Sequence, residues 1–113
     1  MTRLLTEIGF GTSLRRQDYT QAAKRGIEQA LWKHSINLAE LYDLPKEAME
    51  ITVDIGVQQP DQIDAETLKA VFPYGQVTIN PTKGGLDVAR PDGNPTVMAT
   101  IAISVALPIG AAP

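Results

Sequence analysis

EIGFGTSLRRQDYTQAAKRGIEQAL, Glu7 to Leu31, changes its apolar rhythm midway, and that change decides the fold. Before it, Leu4, Ile8 and Phe10 share one face with Thr6, while Arg3, Leu5 and Glu7 share the other, so Arg3 to Phe10 reads as a strand. Gly9 and Gly11 are expected to end it and to allow a tight bend. Asp18, with Gln21 three residues on, has the residue types of a helix N-cap and capping box. From there Tyr19, Ala23, Ile27, Ala30, Leu31 and His34 keep helical spacing, with Lys24, Arg25, Glu28, Gln29 and Lys33 opposite, which predicts a helix to about His34. Glycine inside a helix costs roughly 1 kcal/mol against alanine, so Gly26 among Ala22, Ala23 and Ala30 points to a backbone lying close to a sheet.

Working outward, Asn37 and Glu40 repeat the capping pattern for a short helix over Leu38 to Asp43, stopped by Pro45. Met49 to Val57 alternates cleanly, with Met49, Ile51, Val53, Ile55 and Val57 on one side and Glu50, Thr52, Asp54 and Gly56 on the other. Asp64 starts another helix, with Ile63 and Leu68 placed as a hydrophobic staple, and Phe72-Pro73-Tyr74-Gly75 ends it. Strands follow at Gln76 to Asn80 and Leu86 to Ala89, separated by a Pro81 to Gly85 turn. After the Pro91-Asp92-Gly93-Asn94-Pro95 turn, the β-branched content of Thr96 to Leu107 favours a strand over a helix.

The order β-α-β-α-β-β-β predicts an α+β fold, one domain over residues 1–113, with a single mixed sheet and helices on one face. Helical crossovers make the first two strands parallel. The other sheet face is then uncovered, carrying Thr52, Asp54, Ala102 and Ser104 with apolar Leu5. Such a face is either solvated or packed on other copies, and a homo-oligomer is expected.

Composition narrows the function. The chain has 113 residues, 43% hydrophobic and 20% charged, as in an ordinary globular protein. Its formal net charge of -3 and lack of a long basic run argue against nucleic acid and anionic membranes as partners. The absence of cysteine removes disulfides, thiolate zinc sites and cysteine nucleophiles, and one histidine makes a poor metal site. Val97 to Ile109, the longest apolar run, falls short of the about 20 residues a membrane helix needs, and the N-terminus lacks a signal-peptide pattern. A cytoplasmic protein with no metal and no cofactor is expected.

Parallel strands bring their C-terminal ends to one edge, where open sheets gather ligands, so the loops Gly11 to Gln17 and Gln58 to Gln62 should be neighbours. The first offers the hydroxyls of Thr12 and Ser13, the guanidinium groups of Arg15 and Arg16, and a helix start at Asp18, a set suited to an anion. Gly11, Thr12, Ser13, Arg15, Arg16 and Asp18 are therefore the candidate ligand-binding residues. The alternative is a glycine bend carrying solvated arginines, since Leu14 stands where a dinucleotide fingerprint needs its third glycine and no P-loop lysine follows. Ser13 is a candidate nucleophile only with help, for which Lys83 is the candidate; Asp54, Glu50 and Glu7 read better as the wet side of a sheet. His34 reads as a structural residue at a helix end, and Trp32 as an interface anchor.

Gly9 and Gly11, Gln17-Asp18-Tyr19-Thr20-Gln21-Ala22-Ala23, Phe72-Pro73-Tyr74-Gly75 and Gly84-Gly85-Leu86 resemble a small family of uncharacterised bacterial proteins, also found in plants, that carries Gly-x-Gly-x-Asp-x-His-Gly near the N-terminus. The likeness covers nearly the whole chain. Ser13, Arg15 and Arg16 replace the family's aspartate, histidine and final glycine, so no metal or acid-base role built on those residues carries over. The strand order is also similar to chorismate-mutase-like and imine-deaminase-like trimers and to the repeats of cyclic amide hydrolases, which hold small molecules between subunits or repeats. That resemblance implies a homo-oligomer binding a small polar or anionic metabolite at subunit boundaries, with hydrolysis or isomerisation of a cyclic or carboxylated compound as its chemistry. The rival expectation is a non-catalytic structural or regulatory interaction protein.

Overall fold

A computed structural model describes residues 2–33 and 43–108. His34 and all of the expected Leu38 to Asp43 helix except Asp43 lie outside the described residues, as does the side chain of Trp32. The elements are β1 (Thr2–Ser13), α1 (Tyr19–Lys33), β2 (Glu50–Val57), α2 (Ala65–Lys69), β3 (Gln76–Lys83), β4 (Leu86–Val88) and β5 (Thr96–Leu107), with single 3-10 turns at Lys46–Ala48 and Pro60–Gln62. This is an α+β fold.

The five described strands form one mixed sheet in the order β1-β5-β2-β3, with β4 also paired to β5. β5 is antiparallel to β1, β2 and β4, and β2 is parallel to β3. β1 and β2 thus run in the same direction, as their spacing predicts, but β5 separates them. The last strand takes the central place, pairing with β1, β2 and β4, and its apolar odd positions, Val97 to Leu107, are buried on the face that α1 covers.

Burial follows the alternation. Ile51, Val53, Ile55 and Val57 of β2 and Val97, Ala99, Ile101, Ile103, Val105 and Leu107 of β5 are buried with Tyr19, Ala22, Ala23, Ile27 and Ala30 of α1 and Leu68 of α2. Each large aliphatic side chain in this layer contributes about 1.5–3 kcal/mol through burial. Asp64 caps α2 by accepting from the Thr67 N–H, and Ile63 packs against the core that contains Leu68. β3 extends three residues past its expected end, through Pro81, because an outer strand tolerates a missing N–H.

β1 requires the main correction. It does not stop at Gly9 and Gly11; it continues to Ser13, paired with β5 as far as Val97. Both glycines face α1, where a Cβ on Gly9 would collide with the Gly26 carbonyl and one on Gly11 with the Ala22 carbonyl and the Gly26 amide. They serve close approach of helix and strand rather than a bend, matching the small surface of Ala22, Gly26 and Ala30. The alternation then places Leu5 against the core, not on the uncovered face, and turns Ile8 and Phe10 outward, where they are 49% and 50% exposed.

Candidate functional site

The chain leaves β1 at Ser13 and enters α1 at Tyr19, and the intervening turn is fixed by its own polar groups. Ser13, only 4% exposed, accepts the Asp18 N–H on Oγ at 3.1 Å. Asp18 accepts the Gln21 N–H on Oδ1 at 2.9 Å and the Ala22 N–H on its carbonyl at 3.0 Å. Asp18 is therefore the N-cap expected from sequence, while Ser13 makes the reciprocal bond that the pattern assigns to Gln21. Such a cap is worth about 1 kcal/mol.

Around this turn lies an open hollow of about 590 Å³, lined by Ser13, Leu14, Arg15, Arg16, Asp18, Gln21 and Arg25. Arg25 is anchored by donating Nη1 to the Thr12 carbonyl at 2.7 Å. Arg15 and Arg16 are exposed, and no carboxylate among the described residues pairs with either. Three arginines thus line the hollow with one carboxylate, whose Oδ1 already holds a backbone N–H. Multiply charged anions match that balance through paired N–H donors.

Of the six residues singled out from sequence, Ser13, Arg15, Arg16 and Asp18 line the hollow. Gly11 is sealed beneath α1, and Thr12 enters through its carbonyl. Gln21 and Arg25 were missed as lining residues, although both have a readable signal: they stand three and seven residues after the cap, on its face of the helix. Lys83 lines a separate hollow of about 300 Å³ with Ile8, Asp54, Gly56, Thr82 and Thr100. One chain does not bring it to Ser13, whose hydroxyl is engaged in holding the helix start. On the polar strip, Asp54 accepts from Asn80 Nδ2 at 2.8 Å and Glu50 is exposed.

The loop after β2 makes its contacts with the first turn of α1, at Thr20, rather than with the Gly11 to Gln17 loop expected beside it, and among the described residues none of Gln58 to Gln62 lines the hollow. Asp64 N–H donates to Thr20 Oγ1 at 2.9 Å, and Thr20 Oγ1 donates to the Gln62 carbonyl at 3.4 Å. Beside this junction is a contact not anticipated from sequence. The Tyr19 hydroxyl, on a side chain 2% exposed, donates to Asp87 Oδ2, and Gln17 Nε2 donates to the same hydroxyl at 3.1 Å. Burial first, then the bond to the carboxylate, raises the Tyr19 pKa above its ordinary value. Asp87 Oδ1 is buried with no partner among the described residues. Its only local signal is one acid between Leu86 and Val88.

Among the described residues, no three His, Cys, Asp or Glu side chains gather in a way that could hold a metal, and no helix is long and apolar enough to cross a membrane. A family model described as a conserved hypothetical protein, Lin0512_fam, matches residues 3–105. The chain is also similar to a crystal structure of an FtsZ-like protein of unknown function from Nostoc punctiforme PCC 73102, with 28% identity over 92% of this chain and 93% of that one, and a TM-score of 0.82. No curated protein matches the sequence.

Proposed function

This chain belongs to the Lin0512 family of conserved hypothetical proteins, and from that premise we propose that it is a cytoplasmic homo-oligomer that binds a small anionic metabolite in the hollow between β1 and α1. The observation that carries this reading is the imbalance of Arg15, Arg16 and Arg25 against Asp18 at a helix start. Binding, with Arg15 and Arg16 holding a carboxylate, is the part of this reading that the lining supports; hydrolysis or isomerisation of a cyclic or carboxylated compound would need a base or nucleophile from outside this hollow. Ser13 supports the turn and is not proposed as nucleophile.

The oligomer rests on the face opposite α1. Ile8 and Phe10 of β1 and Leu86 and Val88 of β4 are each about half exposed. By register Ile8 and Phe10 share that face with Ala102 and Thr100, and Leu86 and Val88 share it with Met98 and Thr96. The same patch favours the second reading, a non-catalytic interaction protein. The two separate in a thermal-shift screen with phosphate, citrate and small dicarboxylates, because a ligand at a hundredfold excess over its Kd stabilises by about 2.7 kcal/mol. The proposal expects a stabilising anion whose effect disappears in Arg15→Ala/Arg16→Ala. Equal stabilisation of that variant, or none in the parent, contradicts it and leaves the interaction protein.

A further inference from the structure

The turn between β4 and β5, residues 89–95, reaches back to the loop that carries the two free arginines. Thr96 Oγ1 donates to the Leu14 carbonyl at 3.2 Å, and Asn94 Nδ2 donates to the Arg15 carbonyl at 3.4 Å. Arg90 Nη1 joins them by donating to the Asn94 carbonyl at 3.3 Å and the Leu14 carbonyl at 3.5 Å. Each bond is long, but every acceptor on the loop is a main-chain oxygen. The grip therefore holds the backbone while Leu14, Arg15 and Arg16 keep exposed side chains. Below it, Tyr19 and Asp87 join the start of α1 to β4, and Gln17 in the same segment has φ 51, a left-handed conformation that its surroundings must maintain.

We infer that Asn94 and Thr96 are positioning residues for the anion hollow, holding the Leu14 and Arg15 backbone so that both guanidinium groups are aimed before a ligand arrives. This rests on the anion reading above. Preorganisation of this kind raises affinity by removing the ordering that binding would otherwise require. It also explains why polar side chains more than 75 residues away in sequence are used on an exposed loop.

The test compares the parent, Thr96→Val/Asn94→Ala and Thr96→Ser, which keeps the hydroxyl. Inorganic phosphate affinity and hydrogen exchange at the Asp18 and Gln21 amides, which Ser13 and Asp18 protect, are the two readouts. The double variant should bind phosphate about tenfold more weakly and exchange those amides about tenfold faster, with β5 core amides unchanged and Thr96→Ser behaving as the parent. Unchanged loop exchange in the double variant overturns the inference, as does faster exchange with undiminished phosphate affinity. A parent protein that binds neither inorganic phosphate nor the citrate and dicarboxylates of the screen refutes the anion reading by itself, and the exchange contrast still decides whether the tether exists.

Discussion

The two faces of β1 treat size in opposite ways. Toward α1 the strand presents Gly9, Gly11 and the small Ser13; away from it stand Ile8 and Phe10, half exposed. The usual expectation places large apolar residues inward, yet here the covered side has no room for them. The helix backbone sits where their Cβ atoms would be. The difference teaches that closeness of packing, as well as hydrophobicity, decides which face of a strand is core, and that large outward residues left by such an inversion mark a surface with a use.

Three variants break or sharpen that contrast. Gly11→Ala should have the largest effect, because both clashing groups are backbone and the helix must shift as a unit. A loss of about 3 kcal/mol or more is expected in denaturant unfolding, and a loss under about 1 kcal/mol would show that α1 can move aside freely.

Tyr19→Phe comes next, at about 1–3 kcal/mol, since it removes the one side-chain donor that the Asp87 carboxylate has among the described residues. It also carries a pH signature. The folded Tyr19 pKa is raised above 10.0, so the unfolded chain releases this proton first as pH rises. The stability it contributes is fully present below pH 10 and is lost as pH climbs from there through the folded value. Unfolding curves of the parent should weaken more steeply in that window than those of Tyr19→Phe, and parallel curves would remove burial of the hydroxyl as a cause.

Ile8→Ser/Phe10→Ser should have the smallest effect on the isolated fold, within about 0.5 kcal/mol, while shifting native mass toward the monomer. If this pair costs as much as Gly11→Ala without changing the mass, the outward face is part of the core and the contrast fails.

Much of the fold is legible in single segments. Met49 to Val57 alternates strictly enough to fix strand and inner face, the β-branched content of Thr96 to Leu107 favours the strand that forms there, and Asp18 announces α1. The end of β1 was not legible, because a glycine that permits a bend and a glycine that permits contact look alike until the helix is in place. Nor was the insertion of β5 between β1 and β2, which depends on long-range pairing. At the candidate site the local cap and arginines could be read, whereas Asp87 joins Tyr19 across 68 residues and Asn94 joins Arg15 across 79. No local spacing encodes such contacts.

The most direct measurement follows the guanidinium Nε–H signals of each arginine by NMR during a phosphate titration at low ionic strength. The account predicts saturable shifts at Arg15 and Arg16 with a smaller one at Arg25, while Arg3, exposed at the opposite end of β1, stays still. Equal, non-saturating movement of Arg3 and the two loop arginines would show only general attraction of anions to exposed cations, and would contradict a built anion site.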